Sequence, residues 1–381
     1  MKPANLLALV VLVLAAGLAS AEDWNQWRGP SRNGAAAQSP PLLDAWPAGG
    51  PKILWKADLT PGHGSPVVAG GKVYITTGDN ELLCFEAAGG KPLWKAGVPE
   101  GAGGPFGTPC VAGGRIYVVI NGRPCCYDAA TGAKAWMAAS LGKEVNTSPL
   151  VAEGVAVFSG QNTLRAFDAA SGKLLWNQPQ AGADNTVNAS PALWRHGGKA
   201  YVIVNATGAQ VCVDVKTGDV KWRTERGGGF QTPAVSGDIE VVGTSGAGGE
   251  WITGYQLSVE GAQKIWEVRL ASQDSSPTIV GPYVYAASGE EMVCLALDSG
   301  QVLWRTPMKV KYGSSIAADG KLFILTDDGR SIACLKATPE KFTPLGGQVL
   351  EAYICTTPAI ADGRLYVRLK KFLVCYDLRK P

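Results

Sequence analysis

Phe167-Asp168-Ala169-Ala170-Ser171-Gly172-Lys173-Leu174-Leu175-Trp176 reads as the end of one strand, an acidic turn, and a second strand carrying a tryptophan. Asp168 suits the turn because its carboxylate can bond nearby backbone N–H groups, and Gly172 supplies the bend. The phrase returns as Val213-Asp214-Val215-Lys216-Thr217-Gly218-Asp219-Val220-Lys221-Trp222. Across the chain the tryptophan recurs at Trp94, Trp136, Trp176, Trp222, Trp266 and Trp304, the large apolar anchor of an outer strand.

Upstream of each phrase lies a second recurring signal: Ser65-Pro66, Thr108-Pro109, Ser148-Pro149, Ser190-Pro191, Thr232-Pro233, Ser276-Pro277, Ser314-Ser315 and Thr357-Pro358. Ser65 and Thr357 are 292 residues apart over seven intervals, a period of about 42. Within each copy a short apolar strand, a Gly-containing turn and a consecutively apolar strand such as Val73-Tyr74-Ile75 precede the acidic turn. Such strands suit burial on both faces. The repeat therefore predicts an all-β, eight-bladed β-propeller of four-stranded antiparallel blades. The eighth copy runs out after its third strand, Leu373 to Asp377. Ile53-Leu54-Trp55-Lys56-Ala57 can supply the fourth, so the last blade is expected to be closed by an N-terminal strand, with Trp55 as its anchor. Blade seven lacks the tryptophan; Glu340 to Leu350 stands in its place.

Met1 to Ala21 reads as a cleavable signal peptide: Lys2, an apolar run from Leu6 to Leu18, then Ala19-Ser20-Ala21. No cysteine follows at a lipid-attachment position, and no later stretch is apolar enough to span a membrane. The expected organisation is a signal peptide over 1–21, an N-terminal extension over 22–52, and the propeller over 53–381. A periplasmic or secreted monomer is expected. Without Lys2 the chain has 34 basic and 32 acidic residues, which gives no electrostatic case for nucleic acid.

The turn-and-tryptophan phrase resembles the pyrroloquinoline-quinone (PQQ) type propeller repeat of quinoprotein alcohol dehydrogenases and BamB-like outer-membrane assembly factors. The resemblance covers residues 53–377. The opening Trp24-Asn25-Gln26-Trp27-Arg28-Gly29-Pro30 resembles the start of many exported bacterial PQQ-like propeller proteins. It implies two alternatives. One is a non-catalytic scaffold that binds a protein partner or small polar ligand through the central funnel face. The other is a dehydrogenase that uses PQQ and Ca²⁺ to oxidise an alcohol or sugar. Those dehydrogenases carry an adjacent cysteine pair as a disulfide beside PQQ, and Cys125-Cys126 invites comparison. Yet Cys126 shares a third-strand slot with Cys84, Cys212, Cys294, Cys334 and Cys375, and blade three has Ala166 there. A slot that takes Cys or Ala asks for a small apolar side chain.

No metal site is expected from His63 and His196, and no catalytic residue is assigned. The candidate ligand-binding residues stand two before each Ser/Thr opening: His63, Phe106, Asn146, Asn188, Phe230, Asp274 and Tyr312, with Cys355 in the eighth copy. Here the residue type varies while its neighbours repeat, and the mixture of aromatic and neutral polar groups with one acid, Asp274, suits a small polar ligand or peptide segment. Trp251 reads as an exposed loop aromatic.

Overall fold

The computed structural model describes residues 23–79, 81–97, 107–142, 145–160, 163–179, 188–228, 230–246, 249–270, 275–353 and 355–381. The expected signal peptide, Phe106 and Asp274 lie outside the described residues. The fold is an all-β ring of eight antiparallel blades. Blade one shows the pattern, from the channel outward: Val67–Ala69, Lys72–Thr76, Glu81–Glu86 and Pro92–Gly97. In blade six the second and third strand positions fall in one run, Tyr283–Ala296, which turns at Gly289 with φ 53°. Innermost strands touch from blade one through blade three and from blade four through blade seven, and Val67–Ala69 of blade one touches Ala359–Ala361 of blade eight.

The consecutive apolar runs bury both faces because each blade is sandwiched. Val73 and Ile75 pack into the core shared with blade eight, while Tyr74 between them faces blade two. The same alternation separates Cys125 from Cys126: the first lies between blades one and two, the second between blades two and three, and both are free thiols.

Each outer tryptophan crosses to the next blade. The indole N–H of Trp136 donates to Ala169 (3.1 Å), Trp176 to Val215 (2.8 Å), Trp222 to Ser258 (3.0 Å), Trp266 to Leu297 (2.8 Å) and Trp304 to Thr338 (2.8 Å), each a backbone carbonyl beside the next blade's turn. The ring also lies on that turn's glycine: a Cβ on Gly172 would stand 2.6 Å from Trp136, and one on Gly218 2.6 Å from Trp176. In blade one, the Tyr74 hydroxyl donates to the corresponding carbonyl, Ala129 (3.1 Å).

The small third-strand slot faces the tryptophan across the ladder. Cys84 pairs with Trp94, Cys126 with Trp136, Ala166 with Trp176, Cys212 with Trp222, Gly254 with Trp266, Cys294 with Trp304 and Cys375 with Trp55. A Cβ on Gly254 would lie 2.2 Å from the Trp266 ring, so the slot is small because the indole occupies the space.

Lys52–Asp58 pairs antiparallel with Phe372–Asp377 and is the outer strand of blade eight. Trp55 donates to Ala87 of blade one (2.9 Å), so the tryptophan contacts run on across the junction of the two chain ends. Blade seven does have an outer strand, Pro344–Val349. The ring it lacks comes from elsewhere: Trp46 packs between Phe323 of blade seven and Tyr376 of blade eight, both at 6.3 Å between centroids. Trp55 meets Tyr366 of its own blade and Phe85 of the next in the same way (5.9 and 6.3 Å).

Candidate functional site: a blind cup at the centre of the ring

The Ser/Thr openings form a belt around the channel. The backbone N–H of Ser65 donates to the Thr108 hydroxyl (2.9 Å), Ser148 to Ser190 (2.9 Å), Ser190 to Thr232 (3.1 Å), Thr232 to Ser276 (3.0 Å), Ser276 to Ser314 (3.0 Å) and Thr357 to Ser65 (2.9 Å). At each of these six steps a short hydroxyl satisfies a buried N–H of the preceding blade. The repeated Ser/Thr is thus an interblade bond.

One end of the channel is closed by residues before the first strand. Val68 of blade one donates to the Trp24 carbonyl (2.9 Å), Val111 of blade two to Asn25 (2.8 Å), Ile279 of blade six to Asn33 (3.0 Å) and Ala317 of blade seven to Gly34 (2.8 Å). Between these points two arginines, each 1% exposed, enter the ring. Arg28 donates to the carbonyls of Thr232 (3.4 Å) and Pro277, holding blades five and six. Arg32 donates to Ser148 (3.3 Å), Pro149 (2.5 Å) and Pro191, holding blades three and four. Both take left-handed backbone angles, φ 61° and 54°. Such conformations cost about 1–2 kcal/mol each and persist where the surroundings over-determine them. Burial depresses the Arg28 guanidinium to about 9, with Arg32 adding to the shift, and burial depresses Arg32 to about 10; both stay charged at neutral pH.

Trp27, carried between these anchors, donates its indole N–H to the Thr232 hydroxyl (3.1 Å) and floors a cavity of about 330 Å³. The wall contains the belt hydroxyls of Thr108, Ser148, Ser190, Thr232, Ser276 and Ser314. Above them stand His63, Asn146, Asn188, Phe230, Tyr312 and Cys355. Every described residue expected two positions before an opening therefore lines one cavity. Asn146 donates to the Asn188 side-chain carbonyl (3.3 Å), and His63 meets Tyr353 edge-on at 5.0 Å. Burial, then the nearby Arg368, lowers the His63 pKa. Arg368, 1% exposed, donates to the carbonyls of Thr60 (2.9 Å), Gly64 (2.9 Å) and Thr76 (2.5 Å), tying blade eight to the loop that carries His63.

Two readings of the sequence change. Trp251 is not a loop aromatic; it is half-buried in the strand Gly249–Leu257, paired with Thr244 and Arg269, because the blade-five hairpin is longer than its counterparts. The floor is a feature that the repeat does not announce. Its signal was the Trp24–Pro30 opening, whose two tryptophans and arginine have no counterpart in the repeat and so find their partners only in three dimensions.

PQQ held with Ca²⁺ calls for a carboxylate-bearing site. Among the described lining residues there is no carboxylate, and no group of three or more His, Cys, Asp or Glu is placed to hold a metal ion. Cys125 and Cys126 lie in separate interblade cores and do not line the cup. These residues do not fit the group.

Comparison with known proteins places the chain. It is 27% identical over 276 residues to an outer membrane protein assembly factor BamB of Bordetella pertussis, covering 67% of this chain and 68% of that one. It is 26% identical over 216 residues to the dehydrogenase subunit of a quinone alcohol dehydrogenase of Gluconobacter oxydans, but spans only 26% of that protein and 47% of itself. The crystal structure of BamB from Moraxella catarrhalis superposes with a TM-score of 0.67 at 15% identity, over 85% of this chain and 97% of that one, a likeness of fold. The family described as outer membrane protein assembly factor BamB matches residues 45–245, 229–342 and 290–377, so that almost the whole ring is covered and the chain belongs to that family of PQQ-like propellers.

Proposed function

We propose that this protein is an exported, non-catalytic binding module that holds a small polar ligand, or a segment of a protein partner, in the cup at the centre of its ring. The observation that carries the reading is the cup itself: a blind cavity in which aromatic rings, amides and hydroxyls converge. The relative named for outer membrane protein assembly supports a binding role beside a membrane rather than an oxidation. No helix among the described residues is long and apolar enough to cross a membrane. Export through the signal peptide predicts a mature N-terminus at Glu22, which N-terminal sequencing of periplasmic or secreted material would read.

The test against the dehydrogenase alternative is direct. The purified mature protein, reconstituted with PQQ and Ca²⁺, is expected to show neither stoichiometric PQQ binding nor dye-linked oxidation of alcohols and sugars. Turnover with bound PQQ contradicts the reading. The assignment of Asn188 to the site is tested separately: replacing it must weaken binding of a confirmed ligand.

A further inference from the structure

The charge behind the cup wall narrows the ligand class. Arg28, Arg32 and Arg368 are buried, and the partners that satisfy their N–H groups are backbone carbonyls, the Gln26 amide and the Thr278 hydroxyl. These groups fill hydrogen-bonding needs without neutralising charge. Among the described residues none of the three arginines forms an ion pair. Each guanidinium also reaches a carbonyl at or beside a lining residue: Arg28 that of Thr232, Arg32 that of Ser148, and Arg368 that of Gly64, next to His63. The cup therefore has three unneutralised positive charges immediately outside its wall, where little water screens them. Among the described lining residues no Asp or Glu answers them, and Asp274, which lies outside the described residues, would set one negative charge against three.

The lining itself specifies the rest of the ligand. Trp27, Phe230, Tyr312 and His63 offer aromatic groups to one small space. Their π-faces are electron-rich and suit the C–H face of a saturated ring. Asn146, Asn188 and the belt hydroxyls suit a ligand with several hydroxyls. Ser190, Ser276 and Ser314 each accept a backbone N–H and keep their own O–H to donate. At about 330 Å³ the cavity is at the small end of ligand pockets, sized for a monosaccharide or the end of a chain rather than a polymer.

We propose that the cup selects an acidic sugar, a hexuronate or a terminal uronate unit: its ring stacks on the aromatic groups, its hydroxyls meet the amides and belt, and its carboxylate is drawn by the arginines behind the wall. The proposal rests on the cup-binding reading above and names its ligand. Titration calorimetry on the mature protein compares D-glucuronate and D-galacturonate with D-glucose, D-galactose, benzoate and a neutral tripeptide. A uronate is expected to bind roughly tenfold or more tighter than its neutral sugar and than benzoate. Removing an arginine risks the fold, so the charge is tested from inside: Asn188→Asp, on an exposed position, should lower uronate affinity roughly tenfold while shifting the melting temperature little. Equal or tighter binding of the neutral sugar, or tightest binding of benzoate or the tripeptide, overturns the acidic-sugar assignment and leaves the cup-binding reading standing. Absence of saturable binding by every compound overturns both.

Discussion

Gly218 and Gly197 separate two reasons for glycine in this chain. Both are left-handed, at φ 77° and 56°. A Cβ at Gly197 would meet nothing within 4 Å, whereas at Gly218 it would meet the Trp176 ring at 2.6 Å. Gly197→Ala should therefore cost about 1 kcal/mol for backbone strain alone. Gly218→Ala should cost about 2–4 kcal/mol, because the indole must also move and its bond to Val215 is disturbed. Chemical denaturation measures both, and equal losses would contradict the role given to the tryptophan. The turn glycine and its bend were legible in the sequence. The indole lying on it was not, because the indole belongs to the preceding blade. Glu240, fully buried in blade five, is a second residue whose role the sequence does not announce. Burial pushes its carboxyl up to about 8. The folded state thus prefers the protonated acid, so stability is fully present below the unfolded value near 4.5 and is lost as pH rises toward 8. Glu240→Gln should melt close to the parent at pH 5 and above it at pH 9, by an amount worth on the order of a few kcal/mol. A gap that does not widen with pH would contradict this.

At the scale of the element, strand counting and packing differ in what a sequence can show. Counting strands in the eighth copy pointed to residues 53–57, and Lys52–Asp58 lies against Phe372–Asp377. That inference needs only periodicity and the rule that sheet edges are covered. Trp46 escapes the same method because it stands in no repeat; its position between Phe323 and Tyr376 depends on the path of the chain. Trp46→Ala should cost about 3–5 kcal/mol, comparable to Trp55→Ala, despite its place outside any blade. An effect below about 0.5 kcal/mol would show that blade seven holds without it. The varied position before each opening was readable as the wall of a cavity because it broke the pattern around it. The positive charge behind that wall was not, since Arg28, Arg32 and Arg368 reach the carbonyls beside the cup only through closure of the ring.

For the whole molecule, the segment before the first strand makes a ring into a cup. It bonds to innermost strands of blades one, two, six and seven, drives Arg28 and Arg32 among blades three to six, and supplies Trp27 as floor and Trp46 as a missing anchor. A propeller that leaned on this segment only as a leader would keep its stability without it; one that uses it as described would not. Thermal unfolding of the mature chain with and without residues 23–51 tests this most directly. The shortened protein, which keeps the Lys52–Asp58 strand, is expected to melt at least about 5 °C lower or to lose a single cooperative transition. An unchanged, cooperative melt would contradict it.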